Sequence, residues 1–248
     1  MMEKYWNIQL RLSWSGHSKR VTILEVAQKF CAITSLLMDY DPEKFMNRAL
    51  WPSPKNTIIK DKTDLVAETI ANYILAEHKR DIRTQDKISN PDIYYDGRWE
   101  GYGICLNADK LIQPLDVSFW LGGKDGDIMY MPFSEQIPDD VQWYEKLLRN
   151  LATAFEPNRA SIHSREFVNT TGSKDFYSEY CGWINYFDNS FSIPQPDFKV
   201  ATFEQFNGGT YIKTIDEVFN YENNRHVEIG KQEMEFLRKC SIIKSKTY

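Results

Sequence analysis

Nine residues near the N-terminus set the first constraint on the fold. Trp6, Ile8, Leu10, Leu12 and Trp14 alternate with Asn7, Gln9, Arg11 and Ser13. A repeat of two sends successive side chains to opposite faces, so the segment predicts a strand with one face buried and the other wet. The period then changes. Val26, Phe30, Ile33, Leu36 and Leu37 follow helical spacing within Val21 to Met38, and Asp41-Pro42 ends or interrupts that helix.

The remaining elements follow from the same two periods. Phe45 to Trp51 with Pro52-Ser53-Pro54 reads as a short turn and loop. Thr63-Asp64 supplies an N-cap for a second helix whose apolar face is Leu65, Val66, Ile70, Tyr73 and Ile74. Lys79 to Pro91 is polar and charged, a solvated and flexible connection. Gly101 to Leu106, Leu115 to Leu121 and Ile128 to Phe133 read as strands, the last two a hairpin around Gly122 to Asp127. Pro138-Asp139-Asp140 opens a helix with carboxylates at the positive end of its dipole, and Glu156-Pro157 closes it. Arg159 to Phe167, Cys181 to Phe187, Lys199 to Phe206 and Tyr211 to Thr214 are further strands, and Asn223 or Asn224 caps a last helix. Strands come in consecutive groups. The fold class expected is therefore α+β, mainly antiparallel sheet with helices packed on one face, in a single domain over residues 1–248.

A chain of 248 residues is long enough for a self-sufficient core. Aromatic content is high at 14%, more than a minimal core needs, which points some rings toward a binding surface. The net charge of −5 argues against direct nucleic-acid binding and suits a basic protein partner. Cys31, Cys105, Cys181 and Cys240 form no C-x-x-C pair and read as four buried thiols. The N-terminus lacks an apolar signal core and no run of 18 apolar residues occurs, so the expected location is the cytoplasm.

No catalytic motif stands in the sequence. Glycine-rich phosphate loops and nucleophile elbows do not occur. His17, His78, His163 and His226 lack metal-ligand spacing. Asp125-Gly126-Asp127 opens like a calcium loop, but Met129 and Gln136 occupy later ligand positions, so it reads as a tight turn. Gly101-Tyr102-Gly103 reads as a strand-edge feature. Pro91-Asp92 begins a restriction-type nuclease pattern that lacks the acidic-x-Lys triplet on the following strand. No metal or cofactor is expected.

Two segments carry candidate partner contacts. Tyr94, Tyr95, Asp96, Arg98, Trp99 and Glu100 mix aromatics and charge as interface centres do; a turn with Trp99 tucked inward explains them equally well. Asp125, Asp127, Glu135, Asp139 and Asp140 could meet a basic partner, although helix capping accounts for Asp139 or Asp140 and a solvated loop for the rest.

The C-terminal third holds the most specific pattern. It runs Gly182-Trp183-Ile184-Asn185-Tyr186-Phe187, a Pro194-containing turn, a strand from Val200, Gly209-Thr210-Tyr211-Ile212, Phe219, and Asn224-Arg225-His226-Val227 leading into a helix. This order resembles the immunity protein 52 family of bacterial polymorphic-toxin systems. The resemblance implies a non-enzymatic inhibitor that binds a cognate toxin domain tightly in the producing cell. The implied toxin is a basic nuclease of restriction-endonuclease fold, delivered by contact-dependent secretion, type VI secretion being the expected route. An acidic inhibitor would be steered toward such a partner by complementary charge.

Two other classes stay open. One is a hydrolase-type enzyme with His226 or His163 beside carboxylates in a deep pocket. The other is an intracellular scaffold whose aromatics bury a self-interface.

Overall fold

The computed structural model describes residues 8–15, 21–54, 57–80, 102–107, 117–122, 127–132, 140–171 and 181–242. In chain order the elements are β1 (Ile8–Ser13), α1 (Ile23–Tyr40), α2 (Pro42–Phe45), β2 (Arg48–Trp51), β3 (Ile58–Ile59), a 3-10 turn (Lys62–Asp64), α3 (Ala67–Arg80), β4 (Tyr102–Asn107), β5 (Val117–Leu121) and β6 (Ile128–Pro132). They continue with α4 (Val141–Phe155), β7 (Arg159–Ser164), α5 (Arg165–Thr171), β8 (Ile184–Phe187), β9 (Thr202–Phe206), β10 (Gly209–Lys213) and α6 (Asn224–Lys239). The fold is α+β, with antiparallel strand pairing. It divides into two compact units, residues 13–131 and residues 1–12 with 132–248.

In the unit of residues 13–131 the strand order is β3-β2-β4-β5-β6. Helix α1 starts in a complete capping box: Thr22 N–H donates to Glu25 Oε2 at 2.6 Å, and Glu25 N–H donates to Thr22 Oγ1 at 3.1 Å. Its buried stripe of Val26, Phe30, Ile33 and Leu37 packs with α3, whose Ile70 and Ile74 are equally buried. Phe30 meets Phe119 of β5 edge-on at 5.0 Å.

Two expectations are corrected here. Residues 48–51 are a strand and not a loop, because Leu50 is buried and pairs with Leu106 of β4. Four residues are too few for a period to declare itself. Thr63 and Asp64 lie in the 3-10 turn, where the Asp61 carboxylate accepts the Thr63 N–H at 2.7 Å. Helix α3 begins only at Ala67, and Val66 remains 45% exposed.

In the other unit the order is β1-β7-β8-β10-β9. Ile8, Leu10 and Leu12 of β1 are buried, as their alternation predicts. Asp140 caps α4, its carboxylate accepting the Gln142 N–H at 2.8 Å, and Glu156 closes the helix with a left-handed φ of 44°. The strand expected over Arg159 to Phe167 stops at Ser164. The hydroxyl of Ser164 accepts the Phe167 N–H at 2.9 Å and so starts α5.

Gly182 is required by close approach. A Cβ there would lie 1.7 Å from the carbonyl oxygen of Ile162 on β7. The β9–β10 hairpin turns on Asn207 and Gly208, with φ of 47° and 74°. Two consecutive positive φ values make a two-residue hairpin loop whose twist suits the flanking strands.

Of the four thiols only Cys181 is fully buried; Cys31, Cys105 and Cys240 are partly exposed, and none of the four is in a disulfide. Burial pushes the Cys31 thiol up to about 11, which keeps it protonated and unreactive at neutral pH. Among the described residues no helix is long and apolar enough to cross a membrane.

Candidate functional site

The pleat of β2, β4 and β5 sorts side chains to two faces. Leu50, Ile104, Leu106, Phe119 and Leu121 go to the core. Trp51, Gly103, Cys105, Ser118 and Trp120 go to the other face, with Trp51 opposite Cys105 and Gly103 opposite Trp120. Trp51 is 44% exposed and Trp120 47%. Ile58 of β3, opposite Ala49, is exposed on the same side.

Gly103 explains how two indoles share this surface. It stands near the start of β4, paired with Trp120 of β5 and two residues before Cys105, the partner of Trp51. A Cβ at Gly103 would stand 3.1 Å from Trp120 Cζ3 and 3.6 Å from Trp51 Cζ3. The rings therefore converge over the one position that has no side chain to lift them from the sheet. Each half-exposed indole leaves about 100 Å² of apolar surface in water. Covering one would contribute roughly 2–3 kcal/mol. Paired exposed tryptophans on a rigid strand platform are what an interface anchor requires.

Most of the residues singled out in the sequence do not join this surface. Asp127 is 1% exposed. Its carboxylate accepts the Gly122 N–H at 2.6 Å and pairs with Lys29 Nζ at 2.5 Å, while its carbonyl accepts the Trp14 N–H. It anchors the β5–β6 connection from inside. Asp140 is exposed, as the cap of α4. Tyr94, Tyr95, Asp96, Arg98, Trp99, Glu100, Asp125, Glu135 and Asp139 lie outside the described residues. Trp51 and Trp120 were missed. For Trp120 the signal was present, since it holds an outward position between buried Phe119 and Leu121.

The unit of residues 1–12 and 132–248 contains a pocket of about 300 Å³, lined by His226, Arg225, Glu217, Asp216, Lys199 and Thr214 among others. His226 is buried and its Nδ1 accepts the Asn220 N–H at 3.1 Å. The neutral ring consequently carries its proton on Nε2, which faces Glu217 Oε2 at 3.5 Å. Burial holds its pKa below the usual histidine range, against the opposing pull of Glu217. With Nδ1 occupied by a backbone donor and Nε2 protonated, the ring offers no lone pair to a substrate. His163 is 1% exposed, bonds Gln9 Oε1 through Nε2 at 2.9 Å, and is pushed by burial to a pKa of about 3.

Behind the pocket, Glu233 is fully buried. Asn185 Nδ2 donates to its Oε1 at 2.8 Å, and its Oε2 lies 2.9 Å from Thr214 Oγ1. Thr214 Oγ1 also reaches the Trp183 carbonyl at 3.1 Å, and a hydroxyl has one hydrogen to donate. If that hydrogen goes to Trp183, a protonated Glu233 donates to Thr214 and every group is satisfied. Burial pushes the Glu233 carboxyl up to about 8, in keeping with that neutral form.

Among the described residues no group of His, Cys, Asp and Glu is arranged to hold a metal ion. No family model matches the chain, and no curated protein matches it. It is similar in fold to a solved structure described as Pseudomonas aeruginosa T6SS protein PA0821, with a TM-score of 0.49 and 9% sequence identity over 93% of this chain and 72% of that one.

Proposed function

We propose that this chain is an immunity protein that binds a cognate bacterial toxin domain, a basic nuclease, and neutralises it by a tight non-covalent complex in the cytoplasm of the producing cell. The observation that carries this reading is the pair of half-exposed tryptophans, Trp51 and Trp120, converging over Gly103 on the outward face of β2, β4 and β5. Half-exposed indoles on a rigid strand platform suit a macromolecular partner, because coverage by another surface recovers the apolar area they leave in water. The net charge of −5 supports a basic partner. The resemblance of Gly182 to Val227 to immunity proteins supplies the class of partner. Tyr94 to Glu100 and Asp140 remain proposed contacts in addition to the tryptophans.

The pocket at His226 favours a second reading, a hydrolase. Its weakness is chemical: the lone pair a general base would use is occupied by the Asn220 N–H.

Co-expression of the toxin domain with this chain tests the proposal. Restored growth and co-purification of a one-to-one complex are expected. No protection and no complex would remove it. Turnover of a small compound lost in His226→Ala would favour the hydrolase, and a self-associated chain indifferent to the toxin would favour a scaffold.

A further inference from the structure

Strand β9 ends the order β1-β7-β8-β10-β9. Its register shows which backbone groups point away from the sheet. The two-residue loop at Asn207 and Gly208 makes Phe206 and Gly209 the closing hydrogen-bonded pair. Alternate pairs in an antiparallel ladder exchange hydrogen bonds, so Glu204 with Tyr211 and Thr202 with Lys213 do likewise. The far side of β10 agrees, because the Thr214 N–H donates to the Trp183 carbonyl at 3.0 Å, which by alternation turns Ile212 and Thr210 toward β8; at the open end of the hairpin the Thr214 carbonyl instead accepts the Ala201 N–H at 3.3 Å. Phe203 and Gln205 are left with both N–H and C=O directed outward. Among the described residues no strand lies on that side, and Glu204 and Gln205 are exposed. No proline or bulge interrupts the five residues, although open edges are usually blunted in that way.

We propose that the outer edge of β9 is a strand-docking site, taking an extended segment of a partner protein that places a basic residue opposite Glu204. The four outward groups of Phe203 and Gln205 give main-chain hydrogen bonds. The side chains select the occupant. Glu204 belongs to a cluster in which, among the described residues, Glu145, Glu204 and Asp216 pair with Arg149 and Lys213, three carboxylates against two cations. Phe203, on the opposite face from Glu204, is half-buried and favours an apolar residue beside the basic one. A second copy fits the hydrogen bonds but not the charge. Pairing Phe203 with Gln205 about a two-fold axis puts Glu204 directly against Glu204 of the copy, and like charges in that position are destabilising. The proposal rests on the reading that this chain binds a basic protein, and it adds a main-chain contact to the one proposed for the tryptophans.

The Gln205 N–H points away from β10, so Gln205→Pro removes one docking donor and leaves the hairpin ladder intact. The probe is the toxin domain, titrated by calorimetry against wild type, Gln205→Pro and a Gln205→Ala control. Gln205→Pro is expected to weaken binding at least tenfold and Gln205→Ala less than threefold, with thermal midpoints within a few degrees of wild type. Amide exchange on wild type gives a readout that needs no variant to fold: Phe203 and Gln205 should exchange rapidly alone and become protected in the complex. Equal affinities, or unprotected amides in a stable complex, would overturn the edge assignment while the immunity reading stands. No complex with wild type would remove both. A wild-type dimer dispersed by Gln205→Pro would make a second copy the occupant and overturn the basic-partner assignment.

Discussion

The amide of Asn185 on β8 and the carboxyl of Glu233 on α6 meet at 2.8 Å in a fully buried site. Asn185 also accepts the Gly182 N–H at 2.9 Å and donates to the Gly182 carbonyl at 2.6 Å. One side chain thus locks the chain's approach to β8 and ties that strand to the last helix. Buried polar networks of this kind stabilise only while every member is satisfied.

The first prediction concerns the protonation of Glu233. Its folded pKa is raised to about 8 from an ordinary 4.5, so the folded state holds a proton that the unfolded state releases between those values. The stabilisation is fully present below pH 4.5 and is lost as pH rises through 8. Urea melts of the wild type should therefore show stability falling by about 1 kcal/mol per pH unit across this window. Glu233→Gln, which cannot ionise, should flatten that slope and cost under about 1 kcal/mol at pH 5. Glu233→Ala leaves a cavity and two unpartnered groups, and should cost about 2–4 kcal/mol at every pH. A wild-type stability unchanged between pH 5 and 8 would contradict the neutral carboxyl.

Two glycines of the C-terminal pattern should respond very differently to alanine. At Gly182 the new methyl would lie 1.7 Å from the Ile162 carbonyl oxygen, and β7 and β8 must separate to admit it. A loss of about 3 kcal/mol or more is expected, or failure to accumulate folded protein. At Gly208 nothing lies within 4 Å, and only the φ of 74° is strained. The cost there is about 1 kcal/mol. Thermal melts of the two variants side by side would decide whether close packing or turn conformation dominates.

These contrasts show what the sequence could and could not disclose. The strand at Ile8–Ser13 and the stripe of α1 were readable because a single period runs through each. Strand β2 was not, since its outward Trp51 precedes Pro52 in a stretch with the composition of a loop. Asp127 looked like a surface carboxylate, and only the fold brings Lys29, 98 positions away, to neutralise it inside. The Trp51–Trp120 surface needed register as well as composition. Nothing in the spacing of Trp51, Gly103 and Trp120 says that three strands set them side by side.

Arg149 should prove central to the charge cluster beside β9. Its guanidinium lies 3.8 Å over the Tyr211 ring and pairs with Glu145 and Glu204. Burial alone would raise the Glu145 carboxyl, yet Lys213 and Arg149 outweigh it and hold the group below its usual range. The stability Glu145 contributes is accordingly present above its unfolded pKa and lost as pH falls through the depressed folded value. Arg149→Met keeps an unbranched stem over Tyr211 and removes the ion pairs, and about 1–2 kcal/mol should be lost at pH 7. Less should be lost as pH falls through the depressed folded value of Glu145, where the ion pairs of the wild type disappear as well. A loss that stays constant as pH falls from 7 into the acid range, measured by urea titration, would assign the effect to packing instead.

The exposed indoles should matter to association and hardly at all to folding. Trp51→Ala and Trp120→Ala each remove a ring that is nearly half in water, so thermal midpoints should shift by no more than a few degrees. Binding to the toxin domain should weaken by about 2 kcal/mol for each, near thirtyfold, if the rings seat in the partner. Because both rings converge over Gly103, the losses should not add, and the double variant should fall short of their sum. Gly103→Ala offers a subtler probe: its methyl would press on Trp120 Cζ3 at 3.1 Å and tilt that ring without deleting it. Calorimetry on the four variants should therefore rank the double tryptophan variant weakest and Gly103→Ala closest to wild type. Tryptophan variants that bind like wild type would move the interface off this face.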